Sequence, residues 1–220
     1  MFLNLVNYFV EKGEGEYLLK PVGYATLLIL LILIILIISM SGNSTKKIST
    51  KQLVFSSMSL ALATVTSFIK FASLPFGGSI TLFSMFFICF IGYLYGPKIG
   101  LMTGVAYGIL QLITGPYIYH PLQILLDYPL AFGALGLSGF FHQSKHGLIK
   151  GCIVGMFGRY IFHVISGYIF FRSNAPANMN PMIYTLGYNA TYIVPELIAT
   201  VAILCIPSVI STLKEVKRIS

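Results

Sequence analysis

The stretch HPLQILLDYPLAFGALG, residues 120–136, decides how the rest of the chain is read. It is apolar enough to span a membrane, yet Asp127 stands in the middle as the only formal charge between Pro121 and Phe141. A carboxylate at the centre of a spanning helix costs about 2.5–3.5 kcal/mol on insertion scales, so it needs a cationic partner, a water-lined hollow or a proton. An intramembrane acid is a functional candidate by default.

The composition fixes the solvent around that helix. Hydrophobic residues make up 56% of the 220 and charged residues 9%, with a mean hydropathy of +0.86. Apolar runs of helix length recur along the chain, which predicts an all-α integral membrane protein with several spans. The net charge of +8 sits in short clusters between apolar runs, the pattern of cytoplasmic loops rather than of a nucleic-acid groove. Cys89, Cys152 and Cys205 lie singly in apolar segments without metal-ligand spacing and read as small buried hydrophobes.

Working outward, VGYATLLILLILIILIISM at 22–40 predicts an additional N-terminal transmembrane helix over 22–41, too long for a signal-peptide core and preceded by Glu11, Glu14 and Glu16. Residues 1–21 read as an N-terminal segment lying in the membrane interface, and 42–51 as a basic linker. A six-helix membrane domain is expected over 52–213, with spans near 52–71, 79–95, 99–114, 122–141, 150–171 and 182–212, then a basic tail at 214–220. Placing Lys46, Lys47 and Lys51 in the cytoplasm also puts Lys98, Lys145, Lys150, Lys214, Lys217 and Arg218 there by alternation. The N-terminus is then outside, the C-terminus inside, and the loops at 72–78, 114–121 and 172–181 open outward.

Several polar groups fall near that outer end. Gln123 shares a helix face with Asp127, and Tyr128 follows it. In RYIFHVISGYIFF, Arg159, His163, Gly167 and Phe171 form one stripe at i, i+4 spacing; in YTLGYNATYIVPE, Tyr184 and Tyr188 are one turn apart, with Asn189 and Tyr192 nearby. Each has a structural alternative: a satisfied buried histidine, a helix-packing glycine, interfacial tyrosines at 117 and 119, or an Arg159–Glu196 pair neutralised between the fifth and sixth spans. No phosphate-binding loop, zinc motif or nucleophile elbow is present, so the expectation is a binding protein without cofactor or metal, not an enzyme.

The strings LPFGGSITLFSM (74–85), YGPKIGLMTGVAYGILQLITG (95–115), YIYHPLQILLDYPLAFGALGLSGFF (117–141), RYIFHVISGYIFF (159–171) and MIYTLGYNATYIVPELI (182–198) resemble the thiamine-specific substrate-binding subunit, or S component, of energy-coupling factor transporters. The resemblance runs from about Lys51 to the C-terminus. It implies a six-helix S-component bundle holding one thiamine in its outer half, in a bacterial plasma membrane. On matching motif positions the ligand residues would be Asp127, Tyr128, His163, Gly167, Phe171, Tyr184 and Asn189, with Tyr107 and Tyr117 as further aromatic contacts. The family associates with a transmembrane coupling subunit and two ATPases; small residues on the first core helix, Ser57 with Ala61 and Ser59 with Ala63, would serve that contact or pack within the bundle. The chain contains no Trp, so Phe171 and Tyr107 would replace the larger rings of relatives, and Asp127 is one methylene shorter than the Glu of some members. The same fold holding a pyrimidine precursor such as hydroxymethylpyrimidine, or a stand-alone proton-coupled carrier, are the alternative readings.

Overall fold

The computed structural model describes residues 48–220 continuously, together with residues 10–12, 17–22, 25 and 29. The expected helix at 22–41, the interfacial stretch at 1–21 and most of the linker at 42–51 lie largely outside the described residues. Within that region Val10–Lys12 (β1) pairs antiparallel with Tyr17–Leu19 (β2).

Helix α1, Thr50–Ser67, begins at a capping box in which Ser49 and Gln52 exchange side-chain and backbone hydrogen bonds. It is followed by a hairpin of β3 (Lys70–Ser73) and β4 (Ser79–Thr81), then α2, Ser84–Tyr95. Next come α3, Pro97–Thr114, a long helical segment α4 over Pro121–Phe141, α5, Gly147–Phe170, α6, Pro181–Leu204, and α7, Pro207–Ile219. Helices α4, α5 and α6 are long and apolar enough to cross a membrane, and no more than half of each apolar window is buried inside the protein. Their outward sides match lipid rather than water, so the chain is a multi-pass membrane protein with a six-helix core, α1 to α6.

Three expected spans differ from what forms, the first because α1 ends at Ser67 and Lys70 and Phe71 already belong to β3. Residues 79–83 were expected to be helical, but α2 starts only at Ser84, because Ser79–Thr81 pairs with β3 and Phe83 takes a left-handed conformation at φ 58°. At 1.5 Å per residue, twelve residues reach only about 18 Å, so α2 stops short of one end of the bundle and the hairpin fills its place. The expected span 182–212 is two helices: α6 ends at Leu204, and Pro207, which suits a first helical turn, opens α7. The expected basic tail at 214–220 is therefore mostly part of α7. Val209, Ile210, Leu213 and Val216 pack onto the core, and Lys217 lies 3.7 Å from the centre of the Tyr93 ring while donating to the His142 carbonyl. Partial burial pushes the Lys217 amine below the ordinary lysine range.

Close backbone contact holds the middle helices together. Gly100, Gly104 and Gly108 form one stripe on α3; a Cβ at Gly104 would stand 2.5 Å from the Phe132 carbonyl, and at Gly108 2.4 Å from that of Tyr128. Facing them, a Cβ at Gly136 would meet the Leu101 amide nitrogen at 2.2 Å. Such approach is what small residues provide between membrane helices, where no hydrophobic force drives association. Cys89 and Cys152 are buried as expected, whereas Cys205 is exposed at the end of α6.

The small-residue pairs on α1 separate by face. Ser57 and Ala61 are exposed, beside exposed Leu53, Val54, Met58 and Leu62. Ser59 and Ala63 are 7% and 0% exposed, and Ala63 belongs to the core, so this pair packs within the bundle and is corrected from a partner contact to an internal one.

Candidate functional site

Asp127 owes its position to a break in helix geometry. Within α4, Leu126–Leu130 is a π-helical turn containing Pro129. Proline has no N–H for the usual bond to the carbonyl four residues back and its ring crowds that carbonyl; the wider turn relieves both. The turn directs Asp127 into a cavity of about 200 Å³ enclosed by α3, α4, α5, α6 and the β3–β4 hairpin.

The carboxylate is built into a chain of hydrogen bonds. Gln123 donates to Asp127 Oδ2 at 2.7 Å, and Asp127 Oδ1 lies 3.0 Å from His163 Nδ1. His163 Nε2 accepts from Arg159 Nε at 3.1 Å, and the Arg159 guanidinium rests 4.1 Å above the Phe132 ring. Gln123 also binds the loop before α4, accepting from the Tyr119 amide at 3.1 Å and donating to the Tyr117 carbonyl at 3.1 Å. Asp127 and His163 each keep 13% of their side-chain surface exposed, so the carboxylate is desolvated but reachable from the cavity.

The other walls carry rings and amides. Tyr128 accepts from the Tyr117 amide at 2.7 Å, which sets Tyr117 against Phe171 at 5.9 Å between ring centres. Tyr184, Tyr188 and Tyr192 form a ladder on α6, with successive ring centres 6.1 and 5.9 Å apart. Asn189 is held by its own helix, donating to Thr185 O at 2.9 Å and accepting from Tyr192 at 2.6 Å. Gly167 lines the cavity and also sets helix spacing, since a Cβ there would meet Thr185 Cγ2 at 2.5 Å.

Over this space lies the hairpin turn, with Phe76 and Gly77 at positive φ. The Gly78 amide donates to the Tyr188 hydroxyl at 3.1 Å, and that hydroxyl donates to the Pro75 carbonyl. At the base of the hairpin, Glu196 accepts from the Thr81 amide at 3.1 Å, the Thr81 hydroxyl at 2.8 Å and the Met85 amide at 3.2 Å. A carboxylate at the first turn of α2 meets orphan backbone donors and the positive end of the helix dipole. Glu196 thus has a role other than pairing with Arg159, and no ion pair joins the two among the described residues.

Eight of the nine residues expected at the site line one cavity: Asp127, Tyr128, His163, Gly167, Phe171, Tyr184, Asn189 and Tyr117. Tyr107 does not. It is fully buried, meets Phe132 edge-on at 5.0 Å and donates to the Ala63 carbonyl at 3.1 Å, which fixes α3 against α1. Gln123, Arg159, Tyr188 and Tyr192 also line the wall but were not assigned to the site from sequence; the spacing of 123 to 127, 159 to 163 and 184 to 188 to 192 was the available signal. Chemically, the cavity offers one desolvated carboxylate, several aromatic faces and fixed amide groups, a set suited to a flat, cationic, hydrogen-bonding molecule.

Comparison with known proteins points to one family. The sequence profile described as Thiamine transporter protein matches residues 53–215. The thiamine transporter ThiT of Bacillus subtilis (strain 168) is 39% identical over 150 residues, covering 62% of this chain and 78% of that protein. The ThiT of Lacticaseibacillus paracasei is 35% identical over 104 residues, covering 40% of this chain and 52% of its own length. A solved structure of ThiT from Listeria monocytogenes has the same fold, with a TM-score of 0.61 at 24% identity over 70% of this chain and 92% of that one.

Proposed function

The chain belongs to the thiamine transporter protein family, and from that premise we propose that its cavity binds thiamine, making the protein the substrate-binding S component of an energy-coupling factor transporter. Thiamine joins a permanently cationic thiazolium to an aminopyrimidine. The observation that carries the reading is Asp127, a carboxylate fixed by Gln123 and His163 at the edge of an aromatic hollow. A negative group in so apolar a setting gains most from a cation or an N–H donor that arrives with the ligand. Tyr117, Phe171 and the α6 tyrosines supply stacking faces worth about 0.5–2 kcal/mol each.

The cavity faces the exterior in this proposal. Lys98, Lys145 and Lys150 lie in or beside the turns at the other end of the bundle, the side that the positive-inside rule assigns to the cytoplasm. Transport then needs energy from a membrane coupling subunit and two ATPases, and the exposed Ser57–Ala61 face of α1 is the surface proposed to meet the coupling subunit.

Titration of the purified protein with thiamine by calorimetry is expected to give one tight site, and Asp127→Asn to weaken it by about a hundredfold, the loss of one charge-assisted contact. No heat with thiamine, or unchanged affinity in the variant, would overturn the reading. Equal competition by the isolated pyrimidine fragment would shift the assignment to a precursor instead.

A further inference from the structure

Arg159 lines the cavity, but its Nε hydrogen bond goes to an imidazole. The Nε–H can only donate, so His163 Nε2, 3.1 Å away, must be the bare nitrogen that accepts. An ionised carboxylate can only accept, so His163 Nδ1, 3.0 Å from Asp127 Oδ1, must carry the proton. Both ring positions are therefore decided by their neighbours, and the imidazole they decide is neutral. The guanidinium has little freedom to leave, since it is also stacked 4.1 Å above Phe132.

We propose that Arg159 is a positioning residue that acts through His163: by occupying Nε2 it keeps the imidazole neutral, so that no cation is hydrogen-bonded directly to Asp127 before a cationic ligand arrives. An imidazolium in that place would form a full ion pair with Asp127 and compete with the incoming cation. The inference deepens the thiamine reading and rests on it for its affinity measurement, though not for its spectroscopic one.

The groups around the ring limit what else could set its state. From α4 it faces Asp127, which Gln123 holds. On α6 the Tyr192 ring stands 6.1 Å away and Asn189 reaches the His163 backbone carbonyl at 3.4 Å, while Tyr184 and Tyr188 lie on the same wall. Glu196, also on α6, is engaged by Thr81 and Met85, and the remaining ionisable groups of the cavity lining are Lys70 of the hairpin and the hydrogen-bonded pair Tyr117 and Tyr128. Only Arg159 donates to Nε2 among the described residues.

Two substitutions separate the donor from the charge. In Arg159→Gln the amide nitrogen stands the same number of bonds from the backbone as the arginine Nε, so the N–H is kept and the charge lost. In Arg159→Met a methyl occupies that position, and both are lost. Nitrogen-15 NMR of the ligand-free, full-length protein labelled at histidine, with His163→Gln used to assign the signal, is expected to show an Nδ1–H ring in the wild type and in Arg159→Gln. Neither should titrate between about pH 7.5 and about pH 5.5, whereas in Arg159→Met the ring should take up a proton. Over the same range thiamine affinity is expected to stay within about threefold in the first two proteins and to fall by about tenfold in Arg159→Met as pH drops.

An Nε2–H ring in the wild type overturns the inference even if Arg159→Met does not fold. So does a parallel response of the two variants, which would point to the arginine charge or to direct ligand contact. If the wild type binds no thiamine at any pH, the functional reading fails while the histidine spectra still decide the role of Arg159.

Discussion

The same helices behave in opposite ways at the two ends of the bundle. Away from the cavity α3, α4 and α5 touch backbone to backbone through glycines: a Cβ at Gly136 would lie 2.2 Å from the Leu101 amide, and one at Gly155 2.8 Å from the Leu135 carbonyl. At the cavity end their spacing is held by polar side chains, the π-helical turn displaces α4, and α2 is replaced by a hairpin. One end is a dry anchor. The other is a hollow whose shape depends on hydrogen bonds. A binding space can thus be opened inside a membrane bundle by ending the close-packed stripe at a proline and shortening one helix by about one and a half turns.

Disturbing the anchor should give the largest effect. Gly136→Val is expected to clash with the Gly100–Leu101 backbone, which has no flexible side chain to move aside, and to cost about 3 kcal/mol or more. Thermal unfolding in detergent would report it as a large drop in midpoint, with thiamine binding lost along with the fold. A midpoint near the wild-type value would mean that the two helices are free to separate, and the contrast between the two ends would fail.

At the cavity end a change of similar size should cost less and act differently. Glu196→Gln keeps an acceptor but turns an amide N–H₂ toward donors on Thr81 and Met85, an expected loss of about 2 kcal/mol. The hairpin base should loosen while the glycine-packed end stays intact. Hydrogen exchange is expected to quicken at Ser79–Met85 and remain slow in α3 and α4.

A smaller effect is expected from Tyr188→Phe, which removes the hydroxyl joining Gly78 and Pro75 but keeps the ring in its ladder. The hydroxyl makes two hydrogen bonds at the rim of the cavity, each worth about 0.5 kcal/mol where water can replace it, so release of bound thiamine should accelerate about fivefold with little change in thermal stability. Stopped-flow displacement would measure it. An unchanged release rate would mean that the hairpin does not restrain the ligand.

These two ends were not equally legible in the sequence. Spans of apolar residues with basic turns between them gave the core helices, because the bilayer imposes a length that local composition must meet. Asp127 stood out for the same reason: a charge in such a run needs an explanation. The stripe Gly100, Gly104, Gly108 was equally readable in its spacing, although its partner surface around Phe132 and Gly136 was not. The turn at 74–78 is legible as a break, but the strand Ser79–Thr81 reads as helix because SITLF is uninterrupted by Gly or Pro, and the features that stop helix there are positive φ at Phe83 and the grip of Glu196, more than a hundred residues away. The family resemblance places Tyr107 at the ligand by matching an aromatic position on that helix; the rotation of α3, fixed by its glycines, turns the ring toward Phe132 and Ala63 instead.

The smallest expected effect tests whether glycine itself, or only glycine at a contact, matters. Gly187 lies in α6, and a Cβ added there meets nothing within 4 Å. Alanine is favoured over glycine in a helix interior by about 1 kcal/mol, because the unfolded glycine backbone has more freedom to lose. Gly187→Ala should therefore raise the unfolding midpoint slightly and leave thiamine affinity unchanged, opposite in sign to Gly136→Val. Were it to destabilise the protein, this face of α6 would have to meet another surface.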